Sequence, residues 1–191
     1  MSSLGRSDQD GSSLIDSFWN KTNGLSNEQS NVAQQIISQI INSGYSYSNA
    51  IGIISNVYSE SGFNRTASNI NSNGTTDYGL FQLNSAGHKK AFEKKYGNDW
   101  SIKNQVQYVI DYMKNTSGLR PSDMNNMNEQ QSALKFLSAF EAGNYKTPGD
   151  MIKRFPYIGK GSTTKAVWGM NPETRTVNAI YFSRKFKNLN I

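Results

Sequence analysis

Apolar residues recur with helical spacing along most of this chain and lose that spacing in one short central stretch. Ser26-x-x-Gln29 is a capping-box pattern, followed by Val32, Ile36, Ile37, Ile40 and Ile41 on one helical stripe. Gly44 ends that predicted helix. Ser48 opens the next, through Ile51, Ile54, Val57 and Tyr58, so that Glu60 falls at its C-terminal end. The period then breaks, and Asn73-Gly74 marks a turn between residues able to pair as a hairpin. Helices are predicted again over about 86–96 and 101–115, the second turning Ile102, Val106, Val109, Ile110 and Met113 inward. Asn126-x-x-Glu129 caps one that runs to about Ala142, and Thr147-Pro148 opens a short one. Residues 158–171 read as a Gly-rich loop, and Asn171-Pro172 begins a last helix ending near Lys187. The pattern is α+β and mainly α, with one small antiparallel β-hairpin.

The first 25 residues carry no such period. They are rich in Ser, Gly and Asp, and they read as a flexible arm that Leu14, Phe18 and Trp19 could dock onto the body or a partner. Residues 26–191 remain as a single domain, a fair size for one core and too small for two generous ones.

Composition narrows the chemistry. With no cysteine and one histidine, His88, the chain can build neither a thiol nucleophile nor a Cys- or His-based metal site, and no cofactor is expected. No apolar run approaches the ~20 residues of a membrane span, and the Met1 end lacks the basic and apolar regions of a signal peptide. Action outside a cytoplasm would therefore need delivery by something else. The net charge of +6 favours polyanions. The basic residues are spread and form no nucleic-acid motif, so no specific nucleic acid is expected; anionic bacterial wall is the other candidate.

The two acids flanking the aperiodic stretch carry the candidate chemistry. Glu60 closes the apolar run IGIISNVYSE, while Asp77 lies in NGTTDYGLFQL among hydroxyls and amides. A carboxyl in greasy surroundings at the negative end of a helix dipole is expected to hold its proton, and one among hydrogen-bond donors to stay ionised. Glycosidic-bond cleavage requires that division of labour. Each residue also has a plain reading: a glutamate ending a helix is usually a solvated terminus, and an aspartate near a turn usually bonds its own backbone.

The surrounding motif decides between these readings. E-S-x-F-N followed at fixed separation by D-Y-G-x-x-Q-x-N resembles the active-site segment of the animal, chicken-type lysozymes. Glu60, Ser61, Phe63, Asn64, Ala67, Asn69, Asn71, Gly74, Thr76, Asp77, Tyr78, Gly79, Gln82, Asn84 and Ser85 match without a gap, over about 26 of 191 residues. Lysozyme is the type case from which the two-carboxylate rule was drawn, so the rule is inherited with the resemblance. The chain departs from the animal enzymes in having no disulfides and no tryptophan pair after the hairpin. Its wider build is similar to the tail-associated lysozymes of bacteriophages, with Phe140-Glu141 near a downstream helix and a closing helix from Arg175 to Phe182.

That resemblance implies a lysozyme-like fold whose hairpin flanks an active-site cleft. It also implies a retaining muramidase, carried by a phage particle, that cuts the β-1,4 bond between N-acetylmuramic acid and N-acetylglucosamine during genome delivery. Glu60 would be the general acid and base, and Asp77 the nucleophile or ion stabiliser. Asn71 would orient Asp77, while Gln82 and Asn84 would line the cleft and grip sugar groups. Trp168 reads equally as core packing or as a rim on which a sugar ring stacks, and Tyr157 is a further aromatic of this kind. Phe140 reads as core, Glu141 as a buried structural acid, Tyr78 as a structural strand residue, and His88 as exposed and inert. Bacterial peptidoglycan is the expected partner, with other virion proteins reached through the arm. The alternatives are a lytic transglycosylase, which forms 1,6-anhydro ends with a single Glu, and a non-catalytic lysozyme-fold virion protein.

Overall fold

A computed structural model of the chain describes residues 24–141 and 172–188. Seven α-helices and a three-stranded sheet make up these residues: α1 (Asn27–Asn42), α2 (Tyr47–Ser61), β1 (Ser68–Ile70), β2 (Thr76–Tyr78), β3 (Leu83–Asn84), α3 (His88–Tyr96), α4 (Ile102–Lys114), α5 (Pro121–Met124), α6 (Glu129–Phe136) and α7 (Pro172–Lys185). A π-helical turn, Leu137–Glu141, continues α6. The mainly helical α+β class is as expected. The arm up to residue 23, the Thr147-Pro148 helix, the 158–171 loop, Tyr157 and Trp168 lie outside the described residues.

Caps fix the helix starts. Ser26 and Gln29 form the reciprocal capping box that their spacing predicts. The second helix starts two residues before the expected Ser48, because Ser46 and Asn49 exchange the same pair of bonds. Likewise Asn128 pairs with Gln131 and displaces Asn126 as the cap of α6. At α2 an asparagine stands at the third helical position in place of the usual Glu or Gln, and at α6 an asparagine replaces the usual Ser or Thr cap. The short helix α5, opened by Pro121, had no periodic signal to announce it.

Helix α2 is the axis of the body. It packs on α6, α7 and α1, and α1 also packs on α4. Residues Asn49 to Val57 are buried without a break, so its polar members must bond internally. Asn49 donates to the Met124 carbonyl and to Ser132 Oγ, and Asn56 donates to the carbonyls of Gly52 and Ala133. Gly52 is required for this packing, since a Cβ there would lie 2.5 Å from Ala133 N and from Ser132 Cβ. Isoleucines of α1 and α2, Phe81, Phe92, Phe136 and Phe182 fill the core around that axis.

The sheet is antiparallel in the order β1-β2-β3. Its first hairpin turns through Asn71–Thr75, with Gly74 at φ +80° and Asn71 N–H on the Thr75 carbonyl. A third, two-residue strand extends the expected hairpin. The buried side chain of Gln105 ties the sheet to α4: it accepts from Leu80 N–H at 2.7 Å and donates to the carbonyls of Arg65 and Trp100. It lies so close to Gly79 that a Cβ there would meet Gln105 Oε1 at 2.3 Å. Tyr78 sets its ring edge-on against Trp100, 4.5 Å between centroids, and is the structural strand residue expected.

Candidate active site

Asp77 sits at the centre of the sheet, facing Asn69 on β1 and Asn84 on β3. Directly paired residues project to the same face, so the pleat itself gathers these three side chains. Asn84 Nδ2 donates to Asp77 Oδ1 at 2.5 Å, and Asn71 Nδ2 donates to Oδ2 at 2.9 Å. The same two amides share Thr75 Oγ1, at 3.0 and 3.2 Å, and Thr75 in turn donates to Asn73 Oδ1. Both oxygens of Asp77 are thus engaged by neutral donors, and the plane of the carboxylate is fixed from two sides.

Asn71, which the resemblance implied would orient Asp77, lies within hydrogen-bond distance of it. Asn84, expected to grip sugar groups, also donates to Asp77, from the opposite side to Asn71. Gln82, expected in the same role, adopts a left-handed backbone at φ +45° and spends its amide on the carbonyls of Gly79 and Ala67. Asn69, exposed beside Asp77, is the amide on that face free to reach outward.

Glu60 occupies the last turn of α2, one residue before the end, and Gly62 in the left-handed conformation stops the helix just beyond it. Its setting differs from the greasy one expected. One turn back along the helix stands Asn56, and an ion pair joins Glu60 Oε1 to the Nη2 of Arg175 from α7. Helical periodicity explains the difference, because most of the isoleucines of the apolar run point to other faces of α2. Arg175 is 4% exposed and Glu60 20%. The other terminal nitrogen of the guanidinium donates to Asn56 Oδ1 at 2.9 Å and to the Asn56 carbonyl at 3.3 Å. One turn further along α7, Asn178 donates to Ser59 Oγ.

Among the described residues no three histidines or acids gather as a metal site would require. Nor is any helix among them long and apolar enough to cross a membrane. His88 is not the exposed residue expected. It is half buried against Tyr108, Tyr112 and Phe140, with its Nδ1 2.9 Å from the Tyr108 hydroxyl, and burial pushes its pKa below the ordinary imidazole value. Phe140 is core, as expected.

A helical body with one acid closing its axial helix and a second bracketed by amides on a small sheet has the build of a lysozyme-like protein. A family model described as phage tail lysozyme matches residues 31–165, about seven-tenths of the chain, and the protein belongs to that family. It is therefore a phage peptidoglycan hydrolase, associated with the virion. No curated protein and no solved structure matches the chain. Arg175 lies beyond the matched span. It carried no catalytic signal in the sequence, where only the coarse likeness of the closing helix pointed to it.

Proposed function

We propose that this hydrolase is a retaining muramidase in which Glu60 and Asp77 flank the β-1,4 linkage between N-acetylmuramic acid and N-acetylglucosamine. The bracketing of both Asp77 oxygens by Asn71 and Asn84 carries the reading, because a nucleophile or ion stabiliser must be held in one plane while charge develops opposite it. In the first step Glu60 gives its proton to the leaving glycosidic oxygen as the C1–O bond breaks. Asp77 then bonds to C1, or stabilises the cation there. In the second step Glu60 takes a proton from water, the water oxygen bonds to C1, and Asp77 is released.

For the first step the proton to be given is placed on Oε2, since Oε1 accepts from Arg175. Retention follows if the carboxyl groups lie ~5–5.5 Å apart about the bound sugar. Asn69 and Trp168 are the side chains proposed to contact the saccharide, and no cofactor or metal takes part. The arm, residues 1–25, is proposed to seat the catalytic domain in the tail, where local wall digestion lets the genome pass. A zymogram on bacterial walls tests the assignment. Glu60→Gln should abolish clearing and Asp77→Asn should weaken it severely; clearing by Glu60→Gln at wild-type strength would refute it.

A further inference from the structure

We propose that Arg175 is a positioning residue for Glu60, holding the carboxyl in the one rotamer that presents Oε2 to the sugar linkage. The proposal rests on the assignment of Glu60 as the acid. A glutamate in the last turn of a helix, beside a glycine that ends it, has three side-chain torsions to settle and little helix beyond to confine them. A lone carbonyl or hydroxyl would restrain it weakly. The guanidinium is a planar fork of donors whose directions are fixed relative to one another. Here one terminal nitrogen is anchored on both oxygens of Asn56 and the other bonds Glu60, so that setting the first sets the second.

Asn56 cannot drift either. Its amide nitrogen is spent on the carbonyls of Gly52 and Ala133, which ties it to the packed interface of α2 and α6. A rigid relay therefore runs from the α6 backbone through Asn56 and Arg175 to the carboxyl. Burying a charged pair is a poor device for stability alone, because desolvation of both ions offsets their attraction and an apolar pair of similar volume often does as well. The pair is better accounted for by orientation. Because Arg175 comes from α7, after the span that the family model matches, the site is complete only when the closing helix is docked.

The test measures kcat and KM on soluble peptidoglycan strands for full-length Arg175→Met and Arg175→Lys, each alone and combined with Glu60→Gln. Folded fractions come from circular dichroism. Misplacing a reacting group by about an ångström costs on the order of 100-fold, so Arg175→Met should lower kcat per folded molecule by roughly 10–100-fold with KM within about twofold. Arg175→Lys keeps the charge without the fork and should fall between the two. In the Glu60→Gln background, Arg175→Met should change the residual rate by less than about twofold, since it acts through the carboxyl.

An unchanged kcat per folded molecule in Arg175→Met would overturn the proposal, as would an equal loss in the Glu60→Gln background. If Arg175→Met fails to fold, Arg175→Lys decides: kcat and KM both at wild type would overturn it. Full turnover by Glu60→Gln would instead strike down the assignment of the acid, a separate failure.

Discussion

Asp77 takes its hydrogen bonds from residues six and seven positions away in the chain, whereas Glu60 takes its ion pair from a residue 115 positions on. The first acid is organised by a hairpin that can form locally, with its partners brought to one face by the pleat. The second depends on three helices docking, because Asn56, Ala133 and Arg175 all contribute to its setting. Neutral amides hold the one and a buried cation holds the other. A site built this way has a robust half and a contingent half. Anything that loosens α7 should disable Glu60 while leaving the Asp77 cluster intact.

Removing the acids themselves should have the largest effect. Glu60→Gln deletes a general acid, worth about 10²–10⁴-fold in kcat. Asp77→Asn removes a charge from the developing cation and should cost about 10²–10³-fold. Both substitutions keep shape but not bonding. Asp77→Asn sets a donor against the Asn71 or Asn84 amide, and Glu60→Gln leaves buried Arg175 without a counter-charge. Urea unfolding should therefore show some destabilisation, and the lost turnover is read per folded molecule.

The contingent half is broken next. Arg175→Met leaves Glu60 and Asn56 short of a buried donor, and equilibrium unfolding in urea should show a loss of about 3–5 kcal/mol. Gly52→Ala should act on the same half without touching a functional group. Its methyl would force α2 and α6 apart at a cost of about 1–3 kcal/mol, and α7 packs on both.

The robust half should break more gently. Asn71→Ala or Asn84→Ala each removes one hydrogen bond to a charged group, about 1.5–3 kcal/mol at most, so kcat should fall roughly tenfold or somewhat more while α7 stays docked. Hydrogen exchange of the α7 amides should match wild type in those variants and rise in Arg175→Met. Equal exchange in both would dissolve the distinction between the halves.

The smallest effect is that of pH on the aromatic pocket beside α3. His88 is held below its ordinary pKa by burial, so the unfolded chain binds the proton first as pH falls. The stability that neutral His88 contributes is complete above about pH 6.5 and declines below it, until the folded-state pKa has been passed. Thermal melts across that window should show the decline, and His88→Phe should flatten it.

The division between the halves is also the division between what the chain disclosed and what it concealed. The Asp77 cluster was legible because its chemistry is compressed into a short motif and a hairpin turn with one plausible register. The helices were legible from their apolar spacing, and errors fell at their starts, where Asn49 stands in for the Glu or Gln of the usual box and Asn128 for its Ser or Thr. The partner of Glu60 was not legible. Nothing in a linear chain says that an arginine on the last helix turns inward, and the apolar residues preceding Glu60 suggested a dry pocket in its place. His88 was misread for the same reason, since its aromatic neighbours come from α4 and from the turn after α6. Nor did the sequence announce the left-handed backbone of Gln82, which turns its amide nitrogen back onto the chain.

Wall digestion in water enriched in oxygen-18, followed by mass spectrometry of the released muropeptides, puts the two-acid hydrolysis to the most direct trial. The account predicts reducing N-acetylmuramic ends carrying one solvent oxygen, formed by the wild type and lost in Glu60→Gln and Asp77→Asn. Unlabelled 1,6-anhydro ends from the wild type would contradict it, since the sugar's own hydroxyl would then have taken the place of water.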